Sequence, residues 1–285
     1  ITSTGAKIKF VDINEDYLID PEQIEKKINN KTKAIIPVHL YGQSCDMDKI
    51  NKIAKKNKLK IIEDCAQAQG ATYKKRHVGT MGDAGCFSFY PTKILGAYGD
   101  GGFITVKSKK IYEKMRRIRF YGIEGLNKKK KFFGKYYSNE QGVNSRIDEM
   151  QLSILNIKLL QVNKYIKKRI KIANYYRNKL KNTSLVLPNI RTNNKHVFHL
   201  FTVYHNKRDL ILKKLRKLGI KINIYYPYPV HKMKGYRFLN KNKKLELRIT
   251  EKMSQGIFSL PLYPEITSRD LEKITNSLKS ILKSI

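Results

Sequence analysis

Short apolar runs alternate with helical patterns over most of the chain up to Tyr165, and few folds accommodate that alternation. Strand-like runs stand at Ile8–Val11, Ala34–Val38, Lys60–Ile62, Ala84–Phe89 and Phe103–Val106. Segments with helical spacing lie between them. Pro21–Ile28 follows Asp20, a suitable N-cap, and has Pro21 at its first helical position. Asp46–Lys56 places Met47, Ile50, Ile53 and Ala54 at helical spacing. Strands alternating with helices predict an α/β domain with a mainly parallel sheet. In such sheets, active sites gather at the carboxyl ends of the strands.

The pattern then changes. One long helix is predicted from about Ile147 to Lys181; it opens with Ser145, Asp148 and Glu149 and ends in lysines, as the helix dipole favours. From Leu185 onward a strand (Val197–Tyr204), a helix (Asp209–Leu218) and a second strand (Lys221–Tyr226) follow, with a closing helix near Ser268–Leu282. These describe a smaller α+β domain. The expected division is 1–165 for the large domain and 166–285 for the small one.

Composition restricts the function classes. The 59 Lys+Arg against 23 Asp+Glu give a formal net charge of +36, which ordinarily suggests a polyanionic partner. Lysine is nevertheless spread along the whole chain with isoleucine and asparagine, filling solvated helix faces. The one dense run, Lys128–Lys131, precedes Phe132 and Phe133 and could touch phosphates, but no nucleic-acid module accompanies it, so nucleic acid is not an expected partner. Cys45, Cys65 and Cys86 are odd in number and lack metal-ligand spacing, so they read as thiols in a reducing cytosol and no metal site is expected. Without an apolar run of membrane-span length or a secretion signal, the expected location is cytoplasmic.

The stretch Lys60–Gly102 carries the chemistry. Asp64 follows the apolar run Leu59–Ile62 at an expected strand end, and small residues and glutamines follow it: Cys65, Ala66, Gln67, Ala68, Gln69, Gly70. Taken alone, an acid there more often terminates a strand or caps the next helix. Lys93 is one of many lysines, but its surroundings are unusual: Ser88, Tyr90, Pro91 and Thr92 precede it, and Gly96, Gly99, Gly101 and Gly102 follow. Glycines at that density permit tight turns and close backbone approach to a ligand. A lysine partly shielded from water has a lowered pKa and is prepared for Schiff-base chemistry. An acid and an amine at two strand ends of one sheet are what a pyridoxal 5'-phosphate (PLP) enzyme requires.

EDCAQAQGATY, GDAGCFSFYPTKILGAYGDGG and GVNSRIDEMQ resemble the DegT/DnrJ/EryC1/StrS family of PLP-dependent nucleotide-sugar aminotransferases. HLYGQ with CDMD, and the later YYPYP, fit the same family, and the resemblance covers nearly the whole chain. It implies the aspartate-aminotransferase fold (PLP fold type I) and a homodimer with active sites at the subunit interface. By position, Lys93 would bond the cofactor and Asp64 would pair with its pyridine nitrogen, making the ring an electron sink. Gln67 would stack on or hydrogen-bond the ring, Ser88 would bind the phosphate, and Asn144 from the partner subunit would complete that phosphate site. The resemblance implies a ping-pong reaction with glutamate as amino donor and a nucleotide-linked keto sugar as acceptor, in amino-sugar and surface-polysaccharide synthesis. Lysine at position 93, where related sugar dehydratases carry histidine, favours transamination over dehydration.

The motifs look most like enzymes that aminate the 3-keto carbon of dTDP-6-deoxyhexoses. Aminators of 4-keto sugars, such as GDP-perosamine synthases, and a non-catalytic scaffold of the same fold are the alternatives. Tyr121, Tyr225, Tyr226 and His231 are the candidate substrate residues; Tyr225 stands where relatives often carry histidine. Family members have roughly a quarter of their chain before the point matching Ile1, including a serine/threonine-glycine turn whose amides cradle the phosphate. The expectation is therefore an N-terminally truncated chain that binds PLP poorly or not at all by itself.

Overall fold

The computed structural model describes residues 1–123, 137–240 and 245–285; the basic run Lys128–Lys131 with Phe132 and Phe133 lies outside them. Strands β1 (Ala34–Ile35), β2 (Lys60–Asp64), β5 (Ala84–Ser88) and β6 (Gly102–Val106) form one sheet in the order β1-β2-β5-β6. β1 and β2 are parallel, as are β2 and β5, whereas β6 runs antiparallel to β5. Asp64 pairs with Cys86, and Ser88 pairs with Gly102. The β5–β6 connection, residues 89–101, is thereby held at the edge where β2 and β5 end.

Two short strands, β3 (Thr72–Tyr73) and β4 (Arg76–His77), form a small antiparallel sheet with β7 (Asn194–Lys195). β8 (Phe201–Tyr204) and β9 (Ile257–Leu260) pair antiparallel. The helices are α1 (Pro21–Ile24), α2 (Met47–Lys56), α3 (Lys109–Ile118), α4 (Glu149–Leu159), α5 (Val162–Leu180), α6 (Arg208–Lys217), α7 (Arg248–Gly256) and α8 (Ser268–Lys283). Their starts follow local chemistry: the side chains of Asp20, Asp46, Asp148 and Thr267 accept amide hydrogens in the first turns of α1, α2, α4 and α8.

Two apolar clusters dominate the interior. One, including Ile35, Met47, Ile50, Ile61, Ala68 and Ile166, backs the four-stranded sheet. The other, including Tyr176, Phe198, Phe201, Ile211, Phe258 and Leu278, fills the space among α5, α6, α8 and the β8–β9 pair. Each large side chain buried there contributes about 1.5–3 kcal/mol. Helix α5 starts in the first cluster with Ile166 and ends in the second with Ile172, Tyr176 and Leu180.

Three expected elements differ. The single helix over residues 147–181 is two helices separated at Leu160 and Gln161. α4 leaves Met150, Ile157 and Leu159 exposed and fully buries only Leu155, whereas α5 buries six residues. The break lets each segment turn its own stripe to a different surface. Ile8–Val11 joins no strand ladder among the described residues; the next residue, Asp12, anchors the segment by accepting hydrogens from Ile249 N, Thr250 N and Thr250 Oγ1 at the start of α7. The Lys221–Tyr226 strand reduces to one bridge, Asn223 to Ser259, and Tyr225 is tied by its carbonyl to the Tyr41 hydroxyl instead.

Candidate active site

Two acids stand side by side at the end of β2. Glu63 is fully buried, and Asp64 is half-buried. The strand alternates faces, so Glu63 shares the buried face of Ile61 while Asp64 points the other way. The Glu63 carboxylate accepts from His39 Nε2 at 2.9 Å, Gly79 N and Met81 N at 2.7 Å, and Gly82 N at 2.5 Å. Because Cys45 N donates to His39 Nδ1 at 3.0 Å, the histidine proton sits on Nε2 and points to Glu63. Burial pushes the Glu63 pKa up, but these donors outweigh it and hold the carboxyl below its ordinary value. His39, Glu63 and Cys65 bring potential metal-ligand atoms within 4.8 Å of one another. Both histidine nitrogens and both carboxylate oxygens are already engaged, so the cluster serves as a structural knot.

Asp64 is different. Its Oδ1 accepts from Ala66 N at 3.0 Å, and its Oδ2 has no hydrogen-bond partner among the described residues. Its backbone is held on both sides: Asp64 N donates to Pro37 O at 2.9 Å, and His39 N donates to Asp64 O at 3.0 Å. One carboxylate oxygen is thus presented on a fixed strand end.

Lys93 lies in the β5–β6 connection, in a turn closed by its amide donating to Tyr90 O at 2.9 Å. The turn requires Gly96: a Cβ there would lie 2.5 Å from Pro91 O and 2.8 Å from Tyr90 O. Lys93 makes no ion pair among the described residues. Burial lowers its pKa, and the charge of Asp64 opposes part of that effect, which places the two groups in electrostatic reach of each other. Ser88 Oγ accepts from Tyr90 N at 3.3 Å, leaving its proton free to donate.

Gln67, buried in the loop after Asp64, uses both ends of its amide. Tyr41 N donates to Oε1 at 2.9 Å, and Nε2 donates to the Tyr226 hydroxyl at 2.9 Å. Tyr226 is 48% exposed, and Tyr225 beside it accepts at its carbonyl from the Tyr41 hydroxyl at 2.5 Å. The structure therefore brings Asp64, Gln67, Ser88, Lys93, Tyr225 and Tyr226 to one edge of the molecule.

Asn144 and Tyr121 form a separate exposed patch. Asn144 bridges Phe120, its Oδ1 accepts from Arg146 Nε at 3.2 Å, and Tyr121 is 46% exposed with φ 57°. Neither bonds the Asp64–Lys93 group within the chain among the described residues. His231 is buried, with Nε2 at 2.8 Å from Glu251 Oε1 and its ring 6.1 Å from that of Phe10.

Sequence reading missed Glu63, His39 and Gln69. Gln69 Nε2 donates to Ser88 O at 2.6 Å and to Leu95 O at 3.2 Å, stapling the end of β5 to the Lys93 turn. Its signal was present in the second glutamine of EDCAQAQG. His199 also went unremarked: it is buried, its Nδ1 has no hydrogen-bond partner among the described residues, and burial with the charges of Lys93 and Arg169 pushes its pKa down to about 3.

These residues suit PLP. Asp64 offers an unpaired carboxylate oxygen for a pyridinium N–H, Ser88 a free hydroxyl proton for phosphate, and Lys93 an amine whose charged form burial disfavours.

Comparison with known proteins agrees. The DegT/DnrJ/EryC1/StrS aminotransferase family model matches residues 1–279. The chain is 40% identical over 291 aligned positions to the dTDP-3-amino-3,4,6-trideoxy-alpha-D-glucose transaminase of Micromonospora megalomicea subsp. nigra, covering 100% of this chain and 75% of the relative. It is 42% identical to the dTDP-3-amino-3,6-dideoxy-alpha-D-galactopyranose transaminase of Aneurinibacillus thermoaerophilus, covering 98% and 74%. The crystal structure of S. venezuelae DesV in complex with a ketimine intermediate superposes with a TM-score of 0.89 at 33% identity, covering 96% of this chain and 72% of that one.

Proposed function

The chain belongs to the DegT/DnrJ/EryC1/StrS aminotransferase family, with PLP fold type I and PLP-dependent amination of nucleotide sugars as its activity, and we propose that the Asp64–Lys93 edge is where this happens. The observation that carries the reading is the pairing of a strand-end carboxylate having one unpaired oxygen with a lysine whose pKa burial lowers. The reading divides the chain into a large cofactor-binding domain, 1–165, and a small domain, 166–285, with α5 passing between their cores. It places the enzyme in the cytoplasm as a homodimer.

Bound PLP supplies an electron sink for charge developing on the substrate carbon that carries the nitrogen. Asp64 holds a proton at the pyridine nitrogen through its free oxygen. Lys93 would hold the cofactor covalently and would move a proton to and from the reacting carbon as general base and acid. Ser88 donates to the phosphate, and Asn144, exposed in this chain, reaches the phosphate of the partner subunit. Gln67 would stack on or hydrogen-bond the ring. Tyr121, Tyr225 and Tyr226 contact the sugar nucleotide. His231, buried against Glu251, holds the Val230–Lys232 turn and so supports that surface without exposing its ring.

The acceptor is a dTDP-linked 3-keto-6-deoxyhexose and the donor is glutamate; both relatives named above are transaminases of dTDP-linked 3-amino sugars. The test is incubation of the full-length protein, PLP and glutamate with 3-keto and 4-keto sugar nucleotides, reading aminated product by mass. Amination of the 3-keto compound is expected. Amination of the 4-keto compound alone would move the assignment to that class, and amination of neither would sink it.

A further inference from the structure

Hydrogen-bond polarity in the Gln67 network can be assigned without ambiguity. A backbone N–H can only donate, so the Gln67 atom facing Tyr41 N at 2.9 Å is the amide oxygen. The atom facing the Tyr226 hydroxyl at 2.9 Å is therefore the amide NH2, which can only donate. Tyr226 Oη is the acceptor in that contact, and its own proton is uncommitted among the described residues. Burial raises the Tyr226 pKa; the Gln67 hydrogen bond opposes this, while Tyr225 and Asp64 add to it, so the hydroxyl stays protonated at neutral pH. The 2.9 Å bond to Gln67, three residues after Asp64, places this hydroxyl beside the reacting edge.

The backbone beneath is fixed. Tyr41, with φ 57°, sends its hydroxyl to Tyr225 O at 2.5 Å while its amide holds Gln67, so one residue pins both the tyrosine pair and the amide. The phenol is consequently half-exposed yet immobilised at its oxygen, an arrangement that packing of a surface aromatic does not need.

We propose that Gln67 is a positioning residue that makes Tyr226 a one-way hydrogen-bond donor to an oxygen of the substrate's sugar ring, so that the Gln67–Tyr226 pair selects for the sugar and not for the nucleotide. The proposal rests on the assignment of a sugar nucleotide as substrate. It distinguishes the sugar's acceptor oxygens, whether carbonyl or hydroxyl, from groups that can only donate.

The test titrates the cofactor-loaded full-length protein with dTDP-glucose and with dTDP alone, in wild type, Tyr226→Phe, Gln67→Glu and the double variant. Cofactor loading and thermal melting are checked for each. Tyr226→Phe is expected to weaken dTDP-glucose binding about tenfold and leave dTDP binding unchanged, the loss of one hydrogen bond. In Gln67→Glu the new carboxylate still accepts from Tyr41 N but now also captures the Tyr226 proton. That variant should lose the same factor, and the double variant no more than either single one. Equal weakening of dTDP and dTDP-glucose, full additivity, unchanged affinity in Tyr226→Phe, or a wild type that binds dTDP-glucose no better than dTDP would each overturn the proposal. Wild-type amination of a keto sugar nucleotide is measured in parallel: its absence removes the substrate assignment, whereas its presence with normal Tyr226→Phe binding removes only this inference.

Discussion

Glu63 and Asp64 are neighbours of like charge on one strand, yet the protein treats them in opposite ways. Glu63 is buried and receives four donors, whereas the Asp64 carboxylate receives one backbone amide and keeps an oxygen unpaired among the described residues. A saturated buried acid can only hold structure, because any ligand must displace an existing bond. An acid with spare capacity on a rigid backbone can meet a ligand without reorganising. The contrast separates fold from chemistry across a single peptide bond, and variants on either side should fail differently.

The largest effect is expected at the chemical side. Lys93→Ala should lower amination by about four orders of magnitude, because it removes both the proton transfer and the covalent link proposed for Lys93. Its unfolding free energy should stay within about 0.5 kcal/mol of wild type or rise, because a partly buried lysine with a lowered pKa contributes no stability. Turnover and urea unfolding on the same preparations check this.

Next comes the structural side. Glu63→Ala leaves the buried amides of Gly79, Met81 and Gly82 without an acceptor and should cost about 3–5 kcal/mol of stability by urea unfolding. A loss below about 1 kcal/mol would mean the knot is not the anchor described.

The acid limb of stability gives a smaller effect. Glu63 is held below its ordinary pKa, so its contribution is complete above the unfolded carboxylate pKa and disappears as pH falls through the lower folded value. Between pH about 5 and 3, Glu63→Gln should lose less stability than wild type. An identical slope in the two proteins would remove Glu63 from the acid response. Smallest is Ser88→Ala, expected to weaken cofactor binding about tenfold by equilibrium titration with the fold unchanged.

Much of the site could be read from local sequence. The strand-end acid, the glycines around Lys93 and the glutamines after Asp64 each announce themselves within a few residues. The role of Glu63 could not be read that way, because its donors come from His39 and from residues 79–82. The alternation in KIIED did carry a clue, since it places Glu63 on the same face as Ile61, and an acid on a buried face needs partners. The fold class followed from alternating patterns, whereas the break between α4 and α5 did not. Leu160 and Gln161 keep helical backbone angles, and only the surfaces their neighbours face require the turn. His231 shows what local sequence leaves out: its partner Glu251 lies 20 residues away, and the pairing holds the ring in a buried position.

The most direct test of this division is the turnover of Asp64→Asn set against its stability. The substitution keeps the shape and the acceptor for Ala66 N but removes the charge proposed to hold a proton on the pyridine nitrogen. Amination should fall by about 10²–10³-fold while unfolding free energy changes by less than about 0.5 kcal/mol. Turnover within about threefold of wild type, or a stability loss comparable to that of Glu63→Ala, would contradict the assignment of chemistry to Asp64 and structure to Glu63.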